Sequence, residues 1–302
     1  MNKKREIFQN DYHLSYAVRE GGFWVEPGEM IAIQIPDFHG FDANNEKVAG
    51  SPNPLAGPFL VKGAMPGDTL RVLIHSLAPN RRQGFACKDL HPNVHIPPLP
   101  LSARRKEYVN WEINTTNHTV KPDTQYFPGC PIELPLRPVL GCIGVAPGVS
   151  DRAPSNDCGN FGGNMDYARI TAGATIYLPV YTENAYLYLG DGHAIQGDGE
   201  ITGNGVEVSC DVSFSIEIDR LDLECLAGED DEFLFTIGND RPLEKGLSIA
   251  TAEMFNWLIS RDGLNENQAG ILMGQLVRYE VGNIVSNAYC GACCFPKWIL
   301  PK

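Results

Sequence analysis

Residues 206–218, VEVSCDVSFSIEI, decide the fold class of this chain because apolar and polar side chains alternate along the whole stretch. The apolar set is Val206, Val208, Cys210, Val212, Phe214, Ile216 and Ile218, and the intervening polar set is Glu207, Ser209, Asp211, Ser213, Ser215 and Glu217. A period of two residues indicates a strand with one buried and one solvated face, which is typical of antiparallel sheets. The stretch therefore predicts a mainly β protein of antiparallel strands.

Four shorter segments around this stretch also have the composition of strands, namely 30–35, 69–77, 174–180 and 185–190. The 22 prolines and 31 glycines divide the chain into short pieces, as expected for such a protein. Because only the YTEN tetrapeptide separates the last two segments, we predict that they form a hairpin. The second strand of that hairpin would lead into residues 190–200.

Helical periodicity is clear only near the C-terminus. We predict a helix within TAEMFNWLISRDG, with Thr251 as its N-cap and Gly263 as its end, and a second helix capped by Asn265. No internal repeat or low-complexity linker marks a boundary. We therefore expect a single domain over residues 1–302, with a helical C-terminal portion at about 248–302.

The composition argues against several classes of partner. The 24 Lys and Arg residues stand against 37 Asp and Glu residues, the formal net charge is −13, and no basic run offers a track for nucleic acid. No apolar stretch has the roughly 18 residues of a membrane span, and the first residues lack the apolar core of a signal peptide. We expect a cytoplasmic protein that binds neither nucleic acid nor membrane.

Nine cysteines form an odd set in a chain that is large enough to fold without disulfides. We predict that most are small buried apolar residues. Cys290 and Cys293 have Cys-x-x-Cys spacing and Cys294 adjoins them, so a redox or zinc role is the alternative.

Residues 190–200, GDGHAIQGDGE, place Asp191, His193, Asp198 and Glu200 among four glycines. Carboxylate oxygens and imidazole nitrogens together suit a divalent metal, and glycines allow groups to approach a ligand closely. A solvated turn is the alternative. An EF-hand is excluded because Glu200 follows Asp191 by nine positions and a histidine occupies a place that favours hard oxygen ligands.

Four segments in a particular order resemble the acetamidase/formamidase family: NPLAGPFLVKGAMPGDTLRV (53–72), RPVLGCIGVAP (137–147), GGNMD (162–166) and GDGHAIQGDGE (190–200). The similarity runs from about Trp24 to about Ile218. It implies a mostly β fold with a sandwich-like core, a divalent metal and a homo-oligomer, as a dimer or higher assembly. The implied activity is hydrolysis of a small aliphatic amide, of the acetamide or formamide type, to a carboxylic acid and ammonia.

The resemblance also implies roles for particular residues. The proposed metal ligands are His193, Asp191, Asp166 and Asp37, and zinc is the first choice of metal, with calcium or magnesium as alternatives. The proposed catalytic residues are Glu200, Asp198 and Asn164, and the proposed substrate-binding residues are Gly163, Asn164 and Cys158. In this scheme a metal-activated water attacks the amide, Glu200 moves a proton to the departing nitrogen, and Asn164 helps to stabilise the oxyanion.

Two other interpretations stay open at this point. The first is a cysteine-dependent amidase with Cys158 as nucleophile, since Cys142 has the apolar neighbours of a core residue. His91 and His95 would face such a site from a loop or lie solvated on it. The second is a non-catalytic, metal-dependent β protein that binds a sugar or another small ligand.

Overall fold

The computed structural model describes residues 4–94 and 107–300, and within them the chain is mainly β. The strands are β1 (Arg5–Ile7), β2 (Ser15–Ala17), β3 (Phe23–Val25), β4 (Met30–Ile35), β5 (Leu55–Val61), β6 (Thr69–Pro79), β7 (Gln83–Cys87), β8 (Tyr108–Asn114), β9 (Thr119–Pro122), β10 (Leu134–Pro135), β11 (Val139–Val145), β12 (Arg152–Pro154), β13 (Cys158–Gly159), β14 (Gly162–Asn164), β15 (Thr175–Pro179), β16 (Leu187–His193), β17 (Cys210–Asp219), β18 (Leu226–Glu229), β19 (Phe233–Asp240), β20 (Arg278–Val281) and β21 (Tyr289–Pro296). The α-helices are α1 (Leu243–Ser260) and α2 (Glu266–Leu276), and the short 3-10 turns are Pro92–Val94, Thr124–Tyr126 and Lys297–Ile299.

Two large sheets and two small ones organise these strands. The nine-stranded sheet has the order β1-β4-β17-β6-β15-β18-β19-β21-β20, and the six-stranded sheet has the order β13-β14-β11-β16-β5-β3. Strands β10-β9-β8-β7 form a small sheet, and β12 pairs with β2. All pairings are antiparallel except β1 with β4 and β3 with β5. The predicted class, mainly β with antiparallel strands, is confirmed.

The two large sheets share one hydrophobic core. Phe59 on β5 and Phe214 on β17 are fully buried, and their rings meet edge to face with centroids 5.1 Å apart. Leu178 on β15 lies against the backbone at Gly162 on β14, where an added Cβ would come within 3.0 Å of its Cδ2. Apolar side chains from both inner faces thus interlock, which confirms the expected sandwich-like core.

The predicted hairpin of segments 174–180 and 185–190 was wrong. β15 pairs with β6 and β18 in the nine-stranded sheet, whereas β16 pairs with β11 and β5 in the six-stranded sheet. The chain crosses from one sheet to the other through Asn184, Ala185 and Tyr186, which all have positive φ. Alternation along a strand indicates which face is buried but does not identify the partner strand.

The stretch that predicts the fold class forms a shorter strand than its alternation indicates. β17 covers only Cys210–Asp219 and pairs with β4 on one side and β6 on the other, so it is an internal strand. Residues 204–209 precede it and are all buried. Within them Glu207, assigned to the solvated face by its position in the pattern, is only 1% exposed.

The C-terminal portion is only partly helical. Thr251 lies in the middle of α1 and donates its hydroxyl hydrogen to the Leu247 carbonyl at 2.6 Å, so its prediction as N-cap was wrong. Asn265 caps α2 as predicted, in a reciprocal pair of hydrogen bonds with Gln268. Strands β20 and β21 follow the helices, against the helical prediction for 248–302. Every residue of β21 after Tyr289 is buried, so this strand lacks the alternation of buried and exposed side chains that identifies a strand in a sequence.

The cysteines behave mainly as apolar core residues, as predicted. Eight of the nine are buried, and all nine are free. Burial raises the pKa of both Cys293 and Cys294 to about 12, which disfavours the thiolate that a redox or zinc role requires. No helix in the ranges 4–94 and 107–300 is long and apolar enough to cross a membrane.

The contact between Phe59 and Phe214 predicts a large effect on stability. Replacing Phe59 by alanine would leave a cavity between the sheets and should lower the free energy of unfolding by about 3–5 kcal/mol. The midpoint of urea unfolding measures the effect. Phe8→Ala is the matched control because Phe8 is 85% exposed, so equal shifts in the two variants would contradict this account of the core.

Candidate metal centre

Five ionisable side chains from separate segments converge at one end of the six-stranded sheet. Asp191 and His193 lie on β16, Asp166 follows β14, Glu200 lies in the loop after β16, and Glu207 precedes β17. All five are buried, and the least buried, Glu200, is 7% exposed. We call this group the acidic cluster.

Strand register brings the first members of the acidic cluster together. On β11, Cys142 lies opposite Asn164 of β14 on one side and opposite Gly190 of β16 on the other. Asp166 follows Asn164 by two positions, and Asp191 follows Gly190 directly. Central strand β11 therefore sets the spacing between the two aspartates.

Three carboxylate residues of the acidic cluster have left-handed backbone conformations. Asp166, Asp191 and Glu200 have φ values of 47°, 61° and 47°, and the neighbouring Asn53 has 49°. Residues other than glycine rarely adopt positive φ, and they do so at a cost that the surrounding structure must offset. The fold, and not local preference, therefore aims these carboxylates inward.

His193 lies at the middle of the cluster. Its Nδ1 is 2.8 Å from Gln196 Oε1, and its Nε2 is 3.4 Å from Asp191 Oδ1 and 3.3 Å from Glu207 Oε1. Burial alone lowers the pKa of His193, but the carboxylates of Glu207 and Asp191 outweigh it and raise this pKa well above its usual value. The imidazole is thus the positive or metal-binding counterpart of the acids.

The acids themselves are held in an unfavourable environment for negative charge. Burial, and then the neighbouring carboxylates, raises the pKa of Asp166 well above its usual value. Burial is also the main cause that raises the pKa of Glu200 to about 8 and that of Glu207 to about 7. A bound cation would relieve this repulsion.

Asparagine side chains hold one oxygen of each aspartate. Asn53 Nδ2 donates to Asp191 Oδ2 at 3.0 Å and to Asn164 Oδ1. Asn164 Nδ2 donates to Asp166 Oδ2 at 2.5 Å, and Asn283 Nδ2 donates to the same oxygen at 3.2 Å. The second oxygen of each aspartate, Oδ1, has no hydrogen-bond partner.

The unpartnered atoms of the acidic cluster fit a divalent cation. Asp166 Oδ1, Asp191 Oδ1, His193 Nε2 and Glu207 Oε2 are buried without a hydrogen bond. One donor atom from each of Asp166, Asp191 and His193 lies within 4.8 Å of the others, and the same holds for His193, Glu200 and Glu207. Orphaned buried polar atoms are costly, and imidazole with carboxylates is a suitable ligand set for zinc. Both sets share His193.

Glycines make room for the cluster, although they are not mainly those of residues 190–200. A Cβ on Gly141 would lie 2.4 Å from Asp166 Oδ1 and 2.8 Å from Asp191 Oδ2, and one on Gly205 would lie 2.6 Å from the His193 ring. Among the four glycines of 190–200 only Gly199 has positive φ, at 81°. Gly190 instead permits close packing of β16 against the Pro54 carbonyl.

Three of the residues predicted from the sequence lie outside the acidic cluster. Asp37 is buried but forms an ion pair with Arg81 at 2.5 Å and accepts hydrogen bonds from the backbone of His39 and Phe41, so its carboxylate is already neutralised. Asp198 is exposed at the tip of its loop. The Cys158 thiol donates to the Ala288 carbonyl, 3.7 Å away. Cys158 is not among the described residues that line the cavity next to the acidic cluster.

The other predicted residues are close to the cluster or beyond the described ranges. Asn164 contacts the cluster through its hydrogen bond to Asp166, while Gly163 precedes Asn164 on β14 with φ of 110°. His91 lines the cavity described below, whereas His95 lies outside the described residues. Asp191, His193, Asp166, Glu200 and Asn164 are thus the predicted residues that the fold brings together.

Sequence reasoning missed Glu207, Asn53 and Asn283. Glu207 occupies a polar position of the alternating stretch 206–218, which predicts a solvated side chain. Asn283 lies far from the other site residues in sequence, between β20 and β21. Asn53 stands at the start of NPLAGPFL, inside a segment that carries the family resemblance, and this is the one available signal. Only the tertiary structure assigns the other two.

A cavity of about 300 Å³ lies against the acidic cluster. Its acidic wall consists of Asp191, Glu200 and Glu207, and its other polar groups are Asn53, Asn156, Asn164, His91, Asn204, Ser286 and Asn287. Phe38, Pro52 and Val285 supply the apolar wall. No lysine or arginine is found among the described lining residues. The cavity therefore suits a small polar molecule without negative charge.

The thiols near this site are poorly suited to nucleophilic attack. Burial, followed by the neighbouring Asp191 and Asp166, raises the pKa of Cys142 well above its usual value. Burial does the same for Cys158. Since the thiolate is the nucleophile, both residues are held in the unreactive form.

Comparisons with known proteins find similarity to acetamidases and formamidases. The Acetamidase/Formamidase family model matches residues 152–243, a range that includes all five residues of the acidic cluster. An acetamidase from Yersinia enterocolitica has a TM-score of 0.85 at 25% sequence identity, over 100% of this chain and 94% of that one. An acetamidase from Bacillus halodurans has a TM-score of 0.80 at 25% identity, over 97% of each chain.

A curated relative is similar over a smaller part of its length. An inferred formamidase from Schizosaccharomyces pombe is 26% identical in an alignment 254 positions long that covers 64% of this chain and 60% of that protein. The match thus spans about 60% of the length of that relative.

Gly141 offers a test of how closely the acids must pack. In Gly141→Ala the new methyl group would collide with the carboxylates of Asp166 and Asp191, so we expect the affinity for a divalent metal, with zinc as the probe, to fall by about 10-fold or more. Metal content after loading and dialysis, measured by mass spectrometry, checks this. Gly270→Ala is the control because an added Cβ on α2 meets nothing within 4 Å. Unchanged zinc content in Gly141→Ala would contradict the assignment.

Proposed function

Because this chain belongs to the acetamidase/formamidase family, we propose that it hydrolyses the C–N bond of a small linear amide to give a carboxylic acid and ammonia. The observation that carries the proposal is the acidic cluster, with its unpartnered donor atoms, at the wall of a small polar cavity. Such a constellation of an imidazole, several acids and a concave site is typical of hydrolytic enzymes.

We propose zinc as the metal, held by His193 Nε2 with Asp166 and Asp191. The mixed nitrogen and oxygen donors favour zinc over calcium, which prefers ligand sets made of oxygen alone. When bound, the cation supplies positive charge that polarises the amide carbonyl and acidifies a water molecule. The unpartnered Oδ1 atoms of the two aspartates support this ligand set.

Glu200 is the proposed proton carrier. It lines the cavity, and its pKa of about 8 places its exchange of a proton near neutral pH. In the proposed reaction its carboxylate accepts a proton from the attacking water and passes that proton to the departing amide nitrogen. The products are then the carboxylic acid and ammonia, so the atoms of the amide and one water are accounted for.

Glu207 has a different place in the cluster. Its Oε1 accepts a hydrogen bond from Asn204 Nδ2 at 3.0 Å and faces His193 Nε2 at 3.3 Å. Because His193 Nε2 is the proposed metal-binding nitrogen, a carboxylate this close to it can share a cation with it. We propose that Glu207 is an alternative ligand for the metal.

Asn164 is the proposed donor to the developing oxyanion. Its side-chain amide has two N–H groups, and one of them is engaged by Asp166 Oδ2. The other is available to a substrate carbonyl because Asn164 lines the cavity. Its orientation is set by Asn53, which donates to Asn164 Oδ1. An oriented donor of this kind stabilises a tetrahedral intermediate without reorganising.

The cavity limits the substrate. A volume of about 300 Å³ admits an amide with a short acyl group, and acidic walls without a lysine or arginine among the described residues disfavour an acyl group that carries a carboxylate. We propose formamide, acetamide or a close analogue as substrate. A cytoplasmic location and assembly into a homo-oligomer stay predictions.

Ammonia release tests the activity itself. We expect the zinc-loaded protein to release ammonia from at least one of formamide, acetamide and propionamide, and we expect a chelator to abolish this release because the acids then lack their cation. A coupled ammonia assay with and without the chelator measures both effects. Failure to release ammonia from all three amides would contradict the amidase proposal and favour a ligand-binding protein. Activity that survives complete chelation but not thiol alkylation would favour a cysteine mechanism.

Glu200→Gln tests the proton carrier separately from the metal. The variant should bind zinc as the unmodified protein does, while kcat falls by about 10²- to 10⁴-fold because the amide cannot accept a proton. Steady-state kinetics and metal content are measured on the same preparation. Glu46→Gln, at an exposed position, controls for the loss of one negative charge. Near-normal turnover in Glu200→Gln would remove this residue from the mechanism.

A further inference from the structure

Gln196 links three segments of the site. Its side chain is partly buried in the loop after β16, and its Oε1 lies 2.8 Å from Nδ1 of His193. Its Nε2 donates to the backbone carbonyl of Asp166 and, at 3.4 Å, to that of Gly282. The amide thus touches the metal-binding histidine, the turn that carries one aspartate, and the C-terminal segment before β21.

These contacts determine which way the Gln196 amide faces. Backbone carbonyls of Asp166 and Gly282 only accept hydrogen bonds, so the side-chain NH₂ group must face them. The side-chain oxygen must then face His193, and an amide oxygen can only accept. His193 Nδ1 therefore carries the hydrogen of that bond.

The tautomer of His193 follows from this hydrogen bond. A neutral imidazole with its hydrogen on Nδ1 has its lone pair on Nε2. That Nε2 atom is buried, has no hydrogen-bond partner and faces the carboxylates of Asp191 and Glu207. The nitrogen available to a metal is thus the one that points into the acidic cluster.

We propose that Gln196 is a positioning residue that selects the metal-binding tautomer of His193. It also ties the C-terminal segment to the site, because Asn283, next to Gly282, donates to Asp166 Oδ2 at 3.2 Å. The inference rests on the proposed function, since it assigns a role toward the proposed zinc. Loss of such a hydrogen-bonding partner typically lowers metal affinity by about 10- to 100-fold.

Two substitutions separate the hydrogen bond from the space that the side chain fills. Gln196→Met has similar length but cannot accept the Nδ1 hydrogen, so we expect zinc affinity about 10- to 100-fold lower than in the unmodified protein. Gln196→Glu keeps an acceptor for that hydrogen but loses the donations to the Asp166 and Gly282 carbonyls, so its zinc affinity should lie between those of Gln196→Met and the unmodified protein. Gln275→Met, at an exposed position of α2, should bind zinc normally. A competition titration with a chromogenic chelator measures all four affinities.

A spectroscopic measurement gives a readout that a packing role would not change. In the zinc-loaded protein with ¹⁵N-labelled histidine, His193 should show a protonated Nδ1 and a metal-bound Nε2, assigned by loss of the signals in His193→Ala. In Gln196→Met the Nδ1 hydrogen of His193 loses its side-chain acceptor, so its signal should shift and broaden through faster exchange with water.

The outcomes distinguish this inference from the proposed function. Equal loss of zinc affinity in Gln196→Met and Gln196→Glu, or an unchanged histidine spectrum in Gln196→Met, would overturn the role of Gln196. Zinc binding through Nε2 without ammonia release would overturn the proposed hydrolysis and leave the role of Gln196 intact. An unmodified protein that binds no zinc would overturn both.

Discussion

The burial of four carboxylates around one imidazole is the constraint on which the rest of this structure depends. Each ionised carboxylate loses hydration in the interior, and its neighbours repel it, as the raised pKa of Glu200 and Glu207 shows. The fold retains the group because amide side chains bind one oxygen of each aspartate and His193 faces the carboxylates of Asp191 and Glu207. The atoms left without a hydrogen bond are Asp166 Oδ1, Asp191 Oδ1, His193 Nε2 and Glu207 Oε2. Such atoms are potential ligands for a metal ion.

Sheet geometry and backbone strain place these donors. Strand β11 lies between β14 and β16, and its small Gly141 leaves space for carboxylates from both neighbours. Asp166 and Asp191 adopt positive φ next to residues that pair with β11, namely Asn164 on β14 and Gly190 and Gly192 on β16. Strained residues of this kind are commonly found at functional sites, and here the strain directs both acids to the same point.

Local sequence could predict the centre of this site but not its border. Asp191, His193 and Glu200 stand in one short segment, so their proximity needs little tertiary information. Glu207 shows the limit, because alternation places it on a solvated face although it is buried against His193. Asp37 shows the converse, because a buried aspartate at a strand end resembles a ligand until Arg81 is seen to neutralise it.

By itself the sequence determined the class of the fold, the capped start of α2 and the cluster of acids near His193, because these depend on short-range periodicity and composition. Only the tertiary structure decided that β15 and β16 enter different sheets and that the C-terminal segment brings Asn283 to Asp166. The reason is physical. A pattern along the chain reports which face of an element avoids water, whereas partners distant in sequence are chosen by packing and hydrogen bonding among whole sheets.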